Sequence, residues 1–446
     1  MANIIITTHW TDGDVIPFIH IGKALVLREH KVTILTHSYY EELVREASLA
    51  FIPWETKEEY QIYLNDLNVN VLSAKDYHSI RAFREKHENS KIKLLEYEKI
   101  AGCITANDTV ILAKNRSSLS AFLVAEKFNI PLACVFMNPF EIHGMLAFGH
   151  MFGDVLKKES NELRKMLGLP PIKSWLEWQS CANLHLALWP EWFSAGDNNW
   201  LKPMKAVGFP LPSKRLGIAN ENERELANDD DKPVLISGGT GKMLRPEFYP
   251  LCAKACELSG KKTILLTRHE EMVPQILPPS IKWVKHIPDL SNVMCSMSAI
   301  IHHGGIGTLS GAALAGVPQL ILGDYVDRPF NGARAKELNI AEYLPPALWS
   351  AKKIAALLEK ISASSFRENC RTFARNIVGH TDPIEDVCDL LESMVGNDRY
   401  LLDIKLDILE SVSKNNHESQ KIIVHDMLNK LTENQKRILL KNLQAK

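Results

Sequence analysis

The chain has 446 residues, of which 46% are hydrophobic and 24% charged, so it can bury large cores and is long enough for two or more domains. Its 52 basic and 53 acidic residues leave a formal net charge of −1, which excludes a global field that would draw it to nucleic acid or to an anionic membrane. The 8 cysteines form no CxxC pair, so buried reduced thiols are favoured over disulfides or a metal site.

The first residues predict one strand–helix–strand unit. Residues 4–8 are an apolar run typical of a buried parallel strand, residues 9–14 are a polar loop, and Pro17 suits the first turn of the following helix. Lys31–Thr36 is the second strand, which completes a right-handed βαβ unit. No charged leader precedes the first strand and no apolar run is long enough to span a membrane, so we expect a cytoplasmic protein.

A second unit follows, with a strand at residues 109–113, a helix at residues 118–127 and a strand at residues 131–136. Residues 137–152, rich in methionine and aromatic side chains, come directly after that strand, where open sheets bind ligands. We interpret this stretch as a loop lining an apolar site; the alternative is an amphipathic core helix. The candidate residues are Phe136, Met137, Phe140, Met145 and Phe148.

The composition changes at residues 213–232, which are polar, strongly charged and almost free of β-branched side chains. This pattern predicts an interdomain linker. The three aspartates at residues 229–231 lie in that linker, and we interpret them as a solvated charge run rather than a metal site.

The second half begins with a predicted strand and glycine turn at residues 233–241 and a further strand at residues 263–267. Later, an apolar run ends in two histidines and a glycine cluster, and an alanine-rich helical pattern follows at once. Unpaired N–H groups in a first helical turn attract anions, and glycines let a phosphate approach the backbone. The alternative is that the glycines only shape a turn. The candidates are His303, Gly304, Gly305, Gly307 and Thr308.

Three consecutive motifs carry a family resemblance. Residues 302–308 are His-His-Gly-Gly-Ile-Gly-Thr, residues 315–318 are Ala-Gly-Val-Pro, and residues 323–331 are Gly-Asp-Tyr-Val-Asp-Arg-Pro-Phe-Asn. Together they resemble the donor-sugar signature of family 1 glycosyltransferases, especially bacterial natural-product and sterol-type members. The resemblance implies an α/β protein of the GT-B fold, in which two Rossmann-like domains with parallel sheets face a cleft. It also implies inverting transfer from a nucleotide sugar, without a metal or a further cofactor.

The resemblance assigns the donor site residue by residue. His303 matches the histidine on the α-phosphate, Thr308 the hydroxyl on the β-phosphate, and Asp327 the acid that accepts bonds from sugar hydroxyls. Gly239 and Thr240 match residues that face the diphosphate, and the backbone of Ile287 would pair with the nucleotide base, with its side chain in the core.

Two positions depart from the donor pattern. Arg328 replaces the usual glutamine, and it suits either a salt bridge to a neighbour or the carboxylate of a uronic acid donor. Gly311 stands where plant members have a glutamate on the ribose, so the choice between UDP- and dTDP-sugars stays open.

On the acceptor side, residues 13–18 resemble the family's Gly-Asp-Val-Gln-Pro-Phe element, which makes Asp14 the candidate catalytic base. A base that removes the hydroxyl proton contributes on the order of 10²- to 10⁴-fold. The alternatives are that Asp14 caps a helix, or that His9 is the base. Some members orient a histidine base with an aspartate, and residues 113–115, Ala-Lys-Asn, offer none. Trp10 and Asp12 replace small residues of the family.

The resemblance divides the chain into an acceptor domain at residues 1–212, the linker at 213–232, a donor domain at 233–378 and a terminal helix at 379–396 that returns to the first domain. Residues 397–446 exceed the family pattern and predict a helical extension, which packs on the body or docks a partner protein. We expect a monomer or homodimer.

The sequence therefore predicts a glycosyltransferase. It would move a hexose, such as glucose, from a UDP- or dTDP-sugar to a hydroxyl of a hydrophobic natural-product or lipid-like acceptor. The alternatives are a non-catalytic GT-B helper protein and a nucleotide-sugar epimerase of the same architecture.

Overall fold

The computed structural model describes residues 1–67, 77–105, 108–115, 119–194, 201, 204–211, 232–287, 290–377 and 382–396. The predicted linker, apart from its last residue, and the predicted helical extension at residues 397–446 lie outside these ranges, as do the three aspartates at residues 229–231.

The first half of the chain forms a seven-stranded parallel sheet in the order β3-β2-β1-β4-β5-β6-β7. The first strand is flanked on both sides, with Ile5 paired in register with Thr33 of one neighbour and Ile111 of the other. Such strands are buried on both faces, which is why they have continuous apolar sequences. The strands are β1 Asn3–Thr7, β2 Lys31–Thr36, β3 Ala50–Pro53, β4 Thr109–Lys114, β5 Leu132–Phe136, β6 Leu184–Ala187 and β7 Met204–Ala206.

Helices cover this sheet and connect its strands. The helices are α1 Asp12–Leu27, α2 Glu41–Glu46, α3 Lys57–Asp66, α4 Tyr77–His87, α5 Ser90–Ala101, α6 Leu119–Phe128, α7 Pro139–Met166 and α8 Trp175–Gln179.

The second half forms a six-stranded parallel sheet in the order β10-β9-β8-β11-β12-β13. Its strands are β8 Val234–Ser237, β9 Thr263–Leu266, β10 Ile281–Val284, β11 Ala299–His302, β12 Gln319–Ile321 and β13 Ala341–Tyr343. Its helices are α9 Phe248–Leu258, α10 Leu290–Met294, α11 Ile306–Leu314, α12 Arg328–Glu337, α13 Ala351–Ser362 and α14 Ser364–Ile377. Both sheets have the central order of a Rossmann-like fold, so the predicted α/β architecture with two parallel sheets is confirmed.

Two local predictions are wrong. Residues 139–152 of this stretch belong to helix α7 rather than to a loop, because Asn138 caps the helix through a bond from the Glu141 N–H (3.1 Å) and Pro139 occupies its first turn. Helix α1 begins at Asp12, so Pro17 lies inside it rather than in its first turn. Pro17 lacks the N–H that would bond to the Gly13 carbonyl, a loss that the helix tolerates.

The last described helix, α15 Pro383–Met394, packs against α1 of the first sheet. Val387 and Leu391 are fully buried in the same apolar cluster as Ile4 and Phe18. At the rim of this contact, Arg28 of the α1 terminus binds the carboxylates of Glu385, Asp389 (2.6 Å) and Glu392 (3.0 Å).

Across the described ranges, every helix is too short or too polar to cross a membrane.

The contact between α15 and α1 yields a stability prediction. We expect Leu391→Ala to lower the free energy of unfolding by about 2–5 kcal/mol, because a fully buried leucine leaves a cavity when it is truncated. The matched control is Leu258→Ala, at a side chain that is 53% exposed, with an expected change within about 0.5 kcal/mol. Urea unfolding measures both, and equal effects would contradict the packing of α15 on the first sheet.

Candidate active site

A cleft of about 1300 Å³ lies between the two halves of the chain. In each sheet the carboxyl ends of the strands lie at one edge, and segments that follow strand ends in both sheets border this cleft. The first half contributes Asp14, Lys114 and Met137, and the second half contributes Gly239, His303 and Asp327.

The turn between β11 and α11 is built on His302, whose side chain is fully buried. Its Nε2 lies 3.0 Å from the Gln319 Oε1, and its Nδ1 accepts a hydrogen bond from the Gly304 N–H (3.1 Å). These contacts match a neutral ring protonated on Nε2. Burial lowers the pKa of His302 to about 4, so the ring stays neutral at physiological pH. His302 therefore shapes the turn, and it has no access to the cleft.

His303 lines the cleft, although only 8% of it is exposed. Its ring lies directly against the backbone of Gly239 and Gly305: a Cβ at Gly239 would be 2.6 Å from its Cε1, and one at Gly305 would be 2.5 Å from its Nε2. Burial, together with the positive charge of Arg328, holds the pKa of His303 well below its usual value. The neutral imidazole can donate one N–H bond to a ligand.

The N-terminus of helix α11 lies at the same part of the cleft as His303. Gly305 is its N-cap and gives it no side-chain hydrogen bond, which leaves first-turn N–H groups available for an anion. Gly307 and Thr308 of that turn line the cleft. Gly304, which precedes the cap, has a φ of +90°, a conformation that favours glycine. The helix terminus and His303 thus form one positively polarised surface.

Asp327 and Arg328 lie at the start of helix α12 and also line the cleft. The Asp327 carboxylate accepts a bond from Asn331 Nδ2 (2.8 Å), and burial raises its pKa to about 6, against the opposing charge of Arg328. Arg328 is 9% exposed; its guanidinium donates to the Met243 carbonyl and lies 3.4 Å from the Asp324 carboxylate. Arg328 therefore makes both a salt bridge to Asp324 and a hydrogen bond to a backbone carbonyl in this structure.

Asp14 lines the opposite wall of the cleft. Its Oδ2 accepts bonds from the N–H (3.2 Å) and hydroxyl (3.0 Å) of Thr11, so it does cap helix α1. Its Oδ1 faces Lys114 Nζ at 3.4 Å. A carboxylate has about four lone-pair sites, so capping leaves capacity for a substrate proton. The cap and the base are compatible roles for this side chain.

His9 lies behind this wall. Its Nε2 is 3.0 Å from the Glu96 Oε1, and its ring stacks on Trp54 with centroids 4.8 Å apart. Burial lowers the pKa of His9, although Glu96 opposes the shift. His9 does not contribute to the lining of the cleft, whereas Asp14 does.

The predicted acceptor residues divide into two groups. Met137, Phe140 and Phe148 line the cleft. Phe136 and Met145 are fully buried in the core of the first half, because β5 and one face of α7 turn inward, so their side chains do not border the cleft. The donor candidates Thr240 and Gly239 line it, and the side chain of Ile287 is buried as expected.

Two residues outside the family pattern have defined contacts. Trp10 has a φ of 92°, a strained conformation for a non-glycine residue, and its carbonyl accepts a bond from the Tyr60 hydroxyl (3.2 Å). Asp12 accepts bonds from the Tyr40 hydroxyl (2.9 Å) and from Arg268 of the second half (2.7 Å). The loop between β1 and α1 therefore joins both halves at the cleft.

Sequence reasoning missed several groups that line the cleft, among them Lys114, Glu141 and Trp175. The sequence offered one signal for Lys114, a charged residue directly after a buried apolar strand.

The burial of His302 predicts a pH dependence of stability. Its folded pKa lies below the ordinary value of 6.5, so the unfolded chain binds more protons below pH 6.5 and the stabilisation is lost as pH falls from 6.5 towards 4. We expect His302 to account for about 2 kcal/mol of the loss between pH 7 and pH 5. Urea unfolding of the wild type and His302→Gln at both pH values measures this contribution. An equal loss in both proteins would contradict it.

Comparisons with known proteins agree with this geometry. The family model of the erythromycin biosynthesis protein CIII-like C-terminal domain matches residues 252–394. An uncharacterized glycosyltransferase of Mycobacterium leprae is 24% identical over 425 residues, which cover 87% of this chain and 96% of the relative. An NDP-glycosyltransferase of Bacillus subtilis is 25% identical over 379 residues, covering 82% of this chain and 89% of the relative.

Among solved structures, the glycotransferase of kitacinnamycin superposes with a TM-score of 0.66 at 18% identity, covering 88% of this chain and 99% of that one. These likenesses confirm the recognition made from residues 302–331: the chain has the GT-B fold and is similar over most of its length to family 1 glycosyltransferases of the natural-product type.

Proposed function

We propose that this protein transfers a hexose from a UDP- or dTDP-sugar to a hydroxyl of a hydrophobic small molecule, with inversion at the anomeric carbon. One observation carries the proposal: a carboxylate on one wall of a single cleft, Asp14, faces a neutral histidine, a helix N-terminus and a second carboxylate on the other wall. The names of the relatives, which include an NDP-glycosyltransferase and a sterol 3-beta-glucosyltransferase, agree with it.

The donor side supports a nucleotide diphosphate. A diphosphate at α11 would receive first-turn N–H bonds and the N–H of His303, and the helix dipole favours its negative charge. The half-buried Thr308 adds a hydroxyl donor. Asp327, held by Asn331, offers acceptor oxygens to the hydroxyls of a sugar that extends from the diphosphate towards Asp14.

The choice of a neutral hexose follows from Arg328. Its guanidinium is buried and engaged by the Met243 carbonyl and the Asp324 carboxylate, so binding the carboxylate of a uronic acid would require breaking these contacts. An uncharged hexose can bind without breaking these contacts of Arg328.

The acceptor side supports an apolar molecule that carries a hydroxyl. Met137, Phe140 and Phe148 line the cleft beside Asp14, and Trp10 and Trp175 extend this apolar wall. Aromatic and methionine side chains suit large apolar ligands.

In the proposed reaction the acceptor oxygen attacks C1 of the sugar while Asp14 takes its proton. The bond between C1 and the diphosphate oxygen breaks, and the electron pair leaves with the nucleoside diphosphate. Charge that develops on this leaving group meets the α11 terminus and His303, which is where fixed dipoles lower a barrier most effectively. We propose that these groups supply the stabilisation for which other enzymes use a metal ion, so no cofactor besides the nucleotide sugar is needed.

The base assignment is tested with Asp14→Asn. We expect kcat to fall by on the order of 10²-fold or more, because the amide cannot accept the proton. The asparagine side chain keeps an oxygen that can accept hydrogen bonds from Thr11, so the start of helix α1 should be preserved. Binding of UDP or dTDP, measured by isothermal titration calorimetry, should therefore persist. Asp154→Asn, at a side chain that is 90% exposed, is the control and should match the wild type. Near wild-type turnover in Asp14→Asn would refute the role.

The overall function is tested by mass spectrometry with UDP- and dTDP-sugars and a panel of apolar hydroxylated acceptors. We expect a mass gain of one hexose that is lost in His303→Ala. Donor binding with no product from any acceptor would favour the non-catalytic helper. Conversion of the nucleotide sugar to an epimer in the absence of an acceptor would favour the epimerase.

A further inference from the structure

We propose that Lys114 is the positioning residue of the catalytic base: its ammonium group, held between the carboxylates of Glu141 and Asp14, fixes the orientation of the Asp14 carboxylate at the cleft. The catalytic role of Lys114 rests on the proposed function, whereas the contacts that support its positioning of Asp14 do not depend on any reaction.

The first argument is the burial of the cation. The Lys114 side chain is only 1% exposed, which a lysine tolerates only when its charge is paired. Its Nζ lies 3.0 Å from Glu141 Oε1 and 3.4 Å from Asp14 Oδ1, and 4.7 Å from the centre of the Trp10 ring. Burial alone would lower the pKa of Lys114, but the two carboxylates outweigh it and the pKa is raised. The lysine is therefore a fixed positive charge.

The second argument is the rigidity of its supports. Lys114 is the last residue of β4, which pairs with β1 immediately before the loop that leads to Asp14. Glu141 lies in the first turn of α7, where its Oε2 also accepts the N–H of Met137 (2.8 Å). The ammonium thus joins three elements, β4, α1 and α7.

The third argument is the division of the Asp14 oxygens. Thr11 occupies Oδ2, and Lys114 faces Oδ1 from one side. With both oxygens held, the carboxylate has one preferred orientation, and its remaining lone pair is available to a hydroxyl in the cleft. Preorganisation of this kind reduces the reorientation needed in the transition state.

The fourth argument is coupling to the apolar wall. Phe140 and Phe148 of α7 line the cleft, and Glu141 lies on the same helix. The ion pair between Glu141 and Lys114 therefore fixes the distance between the surface that would hold an acceptor and the base that would deprotonate it.

Other ionisable groups also face Asp14. On its own helix these are Asp12 and His20, which line the cleft; Tyr63 of α3 interacts with it electrostatically; and His303, Asp327 and Arg328 lie across the cleft. The test therefore changes only Lys114 and Glu141, and leaves these groups in place.

The experiment compares Lys114→Met, Glu141→Gln and the double variant with the wild type. Because Lys114 would act through the orientation of Asp14, we expect Lys114→Met to lower kcat on the order of tenfold or more while the affinity for UDP or dTDP persists. Glu141→Gln keeps an acceptor for the Met137 N–H and leaves the ammonium beside Asp14, so we expect a smaller fall in kcat.

The double variant covers the case in which Lys114→Met fails to fold, because it removes both charges and leaves neither buried without a partner. Its kcat should lie below that of Glu141→Gln. The ¹³C chemical shift of the Asp14 carboxyl carbon, assigned with Asp14→Asn, should change in both variants that lack Lys114, because the carboxylate loses its contact with the ammonium. The NMR measurement needs no turnover, so it separates a failure of this proposal from a failure of the transferase proposal.

Folded Lys114→Met with an unchanged Asp14 carboxyl signal and unchanged kcat would overturn the positioning role. So would a double variant whose Asp14 signal and kcat equal those of Glu141→Gln. Circular dichroism verifies the fold of each variant, and a purely structural role of Lys114 would lower stability without changing kcat in the folded protein.

Discussion

Parallel pairing is the constraint on which the structure depends. It places the carboxyl end of every strand at one edge of its sheet, so the turns that follow the strands gather there. In this protein β1 and β4 end beside Asp14 and Lys114, and β11 ends beside His303. The two sheets border the same cleft, and groups far apart in the sequence therefore meet. The apolar sequence of the strands, which forces their burial, is the physical origin of the site.

The charges of the cleft follow a second rule, that each buried ion has a partner. Lys114 lies between two carboxylates, and Arg328 pairs with Asp324. The two histidines of the donor turn need no ionic partner, because burial lowers their pKa values and keeps the rings neutral. The first wall of the cleft is consequently an ionic network around Lys114, whereas the second adds neutral histidine rings and helix N–H groups to the Asp327 carboxylate and the Arg328–Asp324 ion pair. This asymmetry suits a reaction in which a proton leaves on one side and an anion on the other.

The sequence allowed the sheets and the donor turn to be predicted because their signals are local. The apolar run before His302, the glycines after it and the alanine-rich helix lie within a short stretch, and each has a distinct pattern. The aromatic and methionine residues of helix α7 are typical of a loop that lines a ligand site, whereas the local signals for a helix are only Asn138 and Pro139 at its start. The inward face of α7 and of β5 then explains why Phe136 and Met145 are in the core.

Lys114 was beyond sequence reasoning for a different reason. The family pattern places an acidic residue at positions 113–115 to orient a histidine base, and it gives a lysine there no role. The role of Lys114 depends on its contacts with Glu141 and Asp14. The start of α7 brings Glu141 close to it, and the pairing of β1 with β4 brings Asp14 close to it.

The capping of α1 by Asp14 does not compete with its proposed role as a base. Thr11 and Asp14 set the residue at which the helix begins, and that start determines where the carboxylate points. Oδ2 is committed to Thr11, and Oδ1 faces Lys114. The interaction with Thr11 that starts α1 therefore also restricts the orientation of the carboxylate. Lys114 adds a positive charge beside that carboxylate, which the cap alone does not provide.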